Sequence, residues 1–139
     1  MVKKVEMREF DIFVVDDNEN WLFLYKTILK EKGYKIKCFE SPLNALKELQ
    51  STPPKLLLLD FMMPEINGDE LMVKISELKV INSFFPILIS ELEITAEKEF
   101  ELKSLGFGEV LSKQIPKEEL LELISQGIKD WDSDFKNLT

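Results

Sequence analysis

The sequence predicts a doubly wound α/β fold, a five-stranded parallel sheet covered by five helices. Three observations predict it. Five short apolar runs alternate with five segments that carry apolar residues at helical spacing. The third run, "KLLLLD", is apolar without alternation, as expected of a strand buried on both faces. Parallel strands also need crossover connections, and the intervening helices supply them in right-handed form.

The first strand is Ile12 to Val15, closed by Asp16 and Asp17. The following segment sets Trp21, Leu24, Tyr25 and Ile28 at helical spacing, and Gly33 stands where a helix C-terminus wants it. In "YKIKCF", Tyr34, Ile36 and Cys38 alternate with Lys35 and Lys37, the pattern of an edge strand with one wet face. Ser41 as N-cap and Pro42 at the first helical position open a second helix that should finish by "STPP". Leu56 to Leu59 make the third strand and run into Asp60. The third helix carries Leu71, Ile75 and Leu78 on one side. "FPILIS" is the fourth strand, and Thr95 caps a fourth helix that reaches about Leu105 and closes at Gly106. "GEVLSK" is a short fifth strand, and the fifth helix turns Leu120, Leu121, Ile124 and Ile128 inward. The residues beyond Ile128 either extend that helix or fray.

A chain of 139 residues is one domain's worth, with its core expected over about 10–128 and residues 129–139 as a C-terminal extension. With 18 basic and 26 acidic residues the net charge is -8, and no basic cluster marks a nucleic-acid footprint. Cys38 has no partner for an internal disulfide. The N-terminus starts basic but lacks an apolar signal core, and no stretch approaches the ~20 apolar residues of a membrane span. A cytoplasmic protein without membrane association is expected. Histidine is absent, which excludes Ser-His-Asp triads, HExxH zinc sites and a phosphohistidine carrier. Gly-rich phosphate loops are absent too.

In such sheets the ligand site lies beyond the carboxyl ends of the strands. Asp16, Asp17, Asp60, Ser90 and Lys113 all fall at that edge. Taken singly, each has an ordinary reading: Asp16 and Asp17 as a helix N-cap, Asp60 as a turn residue, Lys113 as a surface lysine, Trp21 as packing. Taken together they are a constellation. Three close carboxylates repel one another, and the usual remedies are a raised pKa or a bound cation. With oxygen ligands only, Mg²⁺ or Mn²⁺ is favoured over zinc. A carboxylate beside such an ion and a lysine can attack phosphorus and become an aspartyl phosphate, with Ser90 able to donate to a phosphoryl oxygen.

The stretches "VVDDNENW", "LLLLDFMMPEINGDE", "PILIS" and "VLSK" resemble, in order and separation, the receiver domain of two-component response regulators. The resemblance runs from about Phe10 to Ile128, and "DFMMPEING" is its most specific part. It implies a flavodoxin-like fold of strand order 2-1-3-4-5. It also implies phosphorylation of Asp60 by a sensor histidine kinase or phosphotransfer protein. In that family the residue matching Asp17 binds Mg²⁺ directly, the one matching Asp16 mostly through water, and the carbonyl at Met62 adds a ligand. The residue matching Ser90 follows the phosphoryl group, and the one matching Lys113 contacts it. The chain would then be a signalling module rather than an enzyme, a monomer or weak homodimer. Read as a stand-alone receiver, with no effector domain following, its output is expected through a protein partner or a phosphorelay; a receiver cut from a longer chain is the equal alternative.

Three positions depart from the family pattern. Glu91 follows Ser90 where a small residue is usual, and would repel a phosphoryl group if it faced the site. Gln114 follows Lys113 where proline is usual; a cis bond before a non-proline residue costs ~2.5–4 kcal/mol, so a trans, rearranged loop is expected and the reach of Lys113 is left open. Val110 replaces the aromatic switch residue. Met62 and Leu92 are apolar where some members position the attacking water, which predicts slow hydrolysis of the acyl phosphate. A receiver-like binding module independent of phosphorylation is the alternative these departures motivate. A phosphatase of the haloacid-dehalogenase kind ranks low, because the second acid it needs two residues after Asp60 is Met62.

Overall fold

The computed structural model describes residues 8–78 and 83–137; the basic start of the chain and its last two residues lie outside these. Five parallel strands, β1 (Ile12–Val15), β2 (Ile36–Phe39), β3 (Leu56–Asp60), β4 (Phe85–Ser90) and β5 (Glu109–Ser112), form one sheet in the order β2-β1-β3-β4-β5. Between and after them run α1 (Glu19–Glu31), α2 (Pro42–Ser51), α3 (Gly68–Glu77), α4 (Ala96–Ser104) and α5 (Lys117–Asn137). This is the flavodoxin-like topology.

Alternate residues of the inner strands enter two separate cores, which is why their sequences read as continuous apolar runs. Phe13, Val15, Leu57, Leu59 and Leu88 pack with α2, α3 and α4 through Leu49, Leu71, Ile75 and Leu102. Ile12, Val14, Leu56, Leu58, Ile87 and Ile89 pack with α1 and α5 through Leu29, Ile28, Leu120 and Ile124. All five residues of β3 are buried, including Asp60.

The helix boundaries follow local chemistry. Ser41 Oγ accepts from the Asn44 N–H and Pro42 opens α2; Thr95 accepts from the Lys98 N–H and opens α4. Gly33 and Gly106 end α1 and α4 at left-handed φ of 87° and 118°. The start of α1 differs from the simplest reading of "DDNE". Asn18 is its N-cap, accepting from the Asn20 and Trp21 N–H groups, so Asp16 and Asp17 are released for other work. In α3 the buried set is Leu71, Met72 and Ile75, while Leu78 is its half-buried C-cap. Strand β2 is at the edge as expected, but Lys37 is half-buried there, paired with Glu48 at 3.2 Å and lying over the Phe10 and Phe39 rings.

Residues 129–137 continue α5. Trp131 is buried, its Nε1–H donates to the Ser83 carbonyl at 2.9 Å, and the Arg8 guanidinium lies 5.1 Å from its ring centroid. Arg8 in turn donates to the Pro53 and Pro54 carbonyls. Trp131 is therefore part of the packed structure. Trp131→Phe, which deletes the indole N–H, is expected to lower stability by about 1–2 kcal/mol in urea unfolding.

Candidate functional site

Strand register brings the polar residues together. Val15 pairs with Leu59, so Asp16 emerges level with Asp60. Asp60 pairs with Ile89, and Ser90 with Ser112, which sets Lys113 one residue beyond the end of β5. Gly68 closes the loop after β3 from behind: a Cβ there would lie 2.7 Å from the Asp60 carbonyl oxygen, so only glycine lets α3 begin this close.

Lys113 is the hub. Its Nζ lies 2.6 Å from Asp16 Oδ2 and 3.1 Å from Asp60 Oδ1, and all three side chains are buried. Asp16 Oδ1 also accepts from the Asn18 N–H at 2.9 Å. Asp17 is exposed at the mouth, and one oxygen from each of Asp16, Asp17 and Asp60 falls within 4.8 Å of the others. All three donors are carboxylate oxygens grouped at one point, the ligand chemistry that a small hard cation takes. A cavity of about 330 Å³ opens over these groups, and Met62, Glu91 and Leu92 complete its wall.

Burial, then the charge of Asp16, pushes the Asp60 carboxyl up to about 6, although Lys113 pulls the other way. Burial also raises Asp16, against the pull of Lys113 and the Asn18 N–H. The Tyr25 phenol is raised by burial and by Asp16, Asp60 and Glu91, and its hydroxyl has no hydrogen-bond partner among the described residues.

Four of the five side chains expected at the strand ends meet around the cavity, and Ser90 stands back. It is wholly buried, it is not part of the cavity wall, and its Oγ accepts from the Leu92 N–H at 3.0 Å. Lys113 reaches the carboxylates although the bond to Gln114 is trans. The turn is held instead by the Lys113 N–H donating to the Ser90 carbonyl and the Gln114 N–H donating to Ser112 Oγ. Val110 is half-buried against the α2–α3–α4 core. Sequence reasoning missed the part played by Trp21. Beyond packing on Tyr25, its Nε1–H donates to Glu91 Oε1 at 2.7 Å, and Lys113 Nζ lies 4.9 Å from its ring centroid.

A 2-1-3-4-5 parallel sheet with three carboxylates and a buried lysine at its carboxyl edge defines the receiver class of signalling module. The chain belongs to the response regulator receiver domain family, whose sequence profile matches residues 12–125. Among similar proteins, the "uncharacterized 14.6 kDa protein in sodA1 3'region" of Leptolyngbya boryana is 30% identical over 120 residues, 86% of this chain and 91% of that one. The alkaline phosphatase synthesis transcriptional regulatory protein PhoP of Bacillus subtilis is 34% identical over 95 residues, 68% of this chain but 37% of its own length. A CheY-like receiver domain from Methanospirillum hungatei superposes with a TM-score of 0.80 at 23% identity, covering 88% of this chain and 96% of its own. Receiver domains bind Mg²⁺ at an acidic pocket and work with histidine kinases, phosphotransfer proteins and effectors. Among the described residues, no helix is long and apolar enough to cross a membrane.

Proposed function

We propose that this chain is a response regulator receiver that accepts a phosphoryl group on Asp60 from a sensor histidine kinase or phosphotransfer protein. The observation that carries the reading is Asp60 itself, a buried carboxylate with Lys113 Nζ at 3.1 Å and two further carboxylates within ligand range. Asp16, Asp17, Asp60 and the Met62 carbonyl would hold Mg²⁺, or Mn²⁺. When bound, the ion neutralises charge on the phosphoryl oxygens. An Asp60 oxygen attacks phosphorus, the bond to the donor breaks, and the leaving group keeps the electron pair. Lys113 then pairs with a phosphoryl oxygen, and Ser90, now buried and accepting from the Leu92 N–H, would donate to another once the loop after β4 moves. The reading makes the chain one cytoplasmic domain, a monomer or weak homodimer, that signals to a protein effector through a changed surface and without direct nucleic-acid contact.

Incubation with acetyl phosphate tests this. The expected result is a gain of one phosphoryl group by intact mass in Mg²⁺ and none in EDTA. Met62 and Leu92, both exposed on the cavity wall, offer no polar group to an attacking water. The acyl phosphate should therefore last minutes or longer after donor removal, and decay within seconds would contradict that assignment. A second reading, a partner-binding module that needs no phosphorylation, is favoured by Val110 in place of the switch aromatic and by Glu91 at the cavity; it predicts no mass gain from a folded, Mg²⁺-binding sample.

A further inference from the structure

We infer that Trp21 and Glu91 form a strap at the edge of the Asp60 cavity, in which the indole holds the Glu91 carboxylate beside Lys113 and slows the entry of phosphodonors. The inference rests on the phosphoacceptor reading and adds the control of access to that site. Trp21 belongs to α1, which follows β1, and Glu91 directly follows β4. Strand β3, with Asp60 at its end, lies between these two strands. The Trp21 Nε1–H to Glu91 Oε1 bond of 2.7 Å thus joins chain segments 70 positions apart on either side of the acceptor's strand.

Three contacts tie the strap to the chemistry, although Trp21 itself lines the adjoining cavity on the other side of Lys113. Glu91 Oε1 is 4.0 Å from Lys113 Nζ, the cation that an incoming phosphoryl group must engage. The Trp21 ring lies over the same ammonium, and Glu91 lines the same cavity as Asp16 and Asp60. The carboxylate of Glu91 is therefore an anion already standing beside Lys113, and a phosphoryl group arriving there meets a like charge. The strap is also able to open. The Glu91 side chain is 60% exposed, and the one hydrogen bond its carboxylate makes, among the described residues, is that from Trp21. Breaking that charge-assisted bond and the long 4.0 Å pairing with Lys113 lets it swing into solvent.

Rates of labelling by acetyl phosphate in Mg²⁺, with Mg²⁺ affinity measured in parallel, test the strap in Glu91→Ala, Glu91→Gln, Trp21→Phe and the double variant Trp21→Phe/Glu91→Ala. Glu91→Ala is expected to label about tenfold faster, the factor set by one hydrogen bond to a charged group. Trp21→Phe keeps the ring and removes the N–H, so it should accelerate labelling too, and the double variant should gain little beyond either single one. Glu91→Gln keeps an acceptor for the indole and should fall between wild type and Glu91→Ala. The Trp21 indole N–H resonance should move upfield in Glu91→Ala, a readout independent of phosphorylation. Acceleration by Glu91→Ala with none by Trp21→Phe would overturn the strap and leave simple charge repulsion. Slower labelling with weaker Mg²⁺ binding would overturn it by making Glu91 a metal ligand. Equal rates in all proteins would end the strap alone, whereas no labelling of any protein would end the phosphoacceptor reading and the strap with it.

Discussion

Lys113→Met is expected to lower the stability of the metal-free protein at neutral pH by about 3–5 kcal/mol, the usual cost of removing one partner from a buried ion pair. The ammonium serves two buried carboxylates at once, Asp16 at 2.6 Å and Asp60 at 3.1 Å. Methionine matches the length of the lysine stem and fills its space, so the loss is electrostatic rather than a cavity. Two conditions should restore stability. Acid supplies protons to the carboxylates, both of which already bind protons more tightly than free aspartate. Mg²⁺ supplies the missing positive charge, and it should bind the variant more tightly than wild type, because the ion no longer competes with Lys113 for Asp16. Urea unfolding in EDTA and in Mg²⁺ checks this. An equal loss in both buffers would mean that Lys113 acts by packing.

Asp60→Asn should have the opposite sign on stability while abolishing phosphoryl uptake. The Asp60 carboxyl titrates near 6 in the fold, against about 3.9 in an unfolded chain. The folded state therefore holds the proton more tightly, and the stability this contributes is fully present below about pH 4 and lost as pH rises through about 6. At neutral pH the buried, ionised group beside Asp16 is a net cost. Asparagine keeps the shape without the charge and should stabilise the metal-free protein at about pH 7 by roughly 1–3 kcal/mol, with little difference near pH 4. Saturating Mg²⁺ should reverse the order, because the wild type gains a ligand-bound state that the variant binds poorly. If Asp60→Asn were less stable than wild type in EDTA at neutral pH, Asp60 would be a structural partner of Lys113 rather than a strained acceptor.

The parts of this molecule that follow from local pattern were legible in the sequence. The unbroken Leu56–Leu59 run, in its place in the alternation, read as an inner strand, and Ser41–Pro42 and Thr95 placed two helix starts to the residue. The edge placement of Asp16, Asp17, Asp60 and Lys113 followed from the topology, because parallel strands send all their carboxyl ends to one side. What was not legible depended on contacts between distant positions. Nothing in "ENWLF" says that Trp21 will hydrogen-bond Glu91, and nothing in "DWDSD" says that Trp131 will reach the Ser83 carbonyl. The reach of Lys113 was open because the proline that normally shapes the turn is missing; two backbone N–H groups do that work here. Asn18 outcompeted Asp16 and Asp17 for the α1 N-cap, because Asp16 is turned inward, where Lys113 holds its Oδ2.

The most direct test of the central claim locates the phosphoryl group. Borohydride reduces an aspartyl phosphate to homoserine, so peptide mapping of protein treated with acetyl phosphate and then borohydride reads the acceptor residue by mass. Homoserine at position 60 in the Mg²⁺ sample, absent from the EDTA sample, is the predicted result. Homoserine at Asp16 or Asp17 instead, or no conversion in a sample shown to be folded and to bind Mg²⁺, would contradict the account.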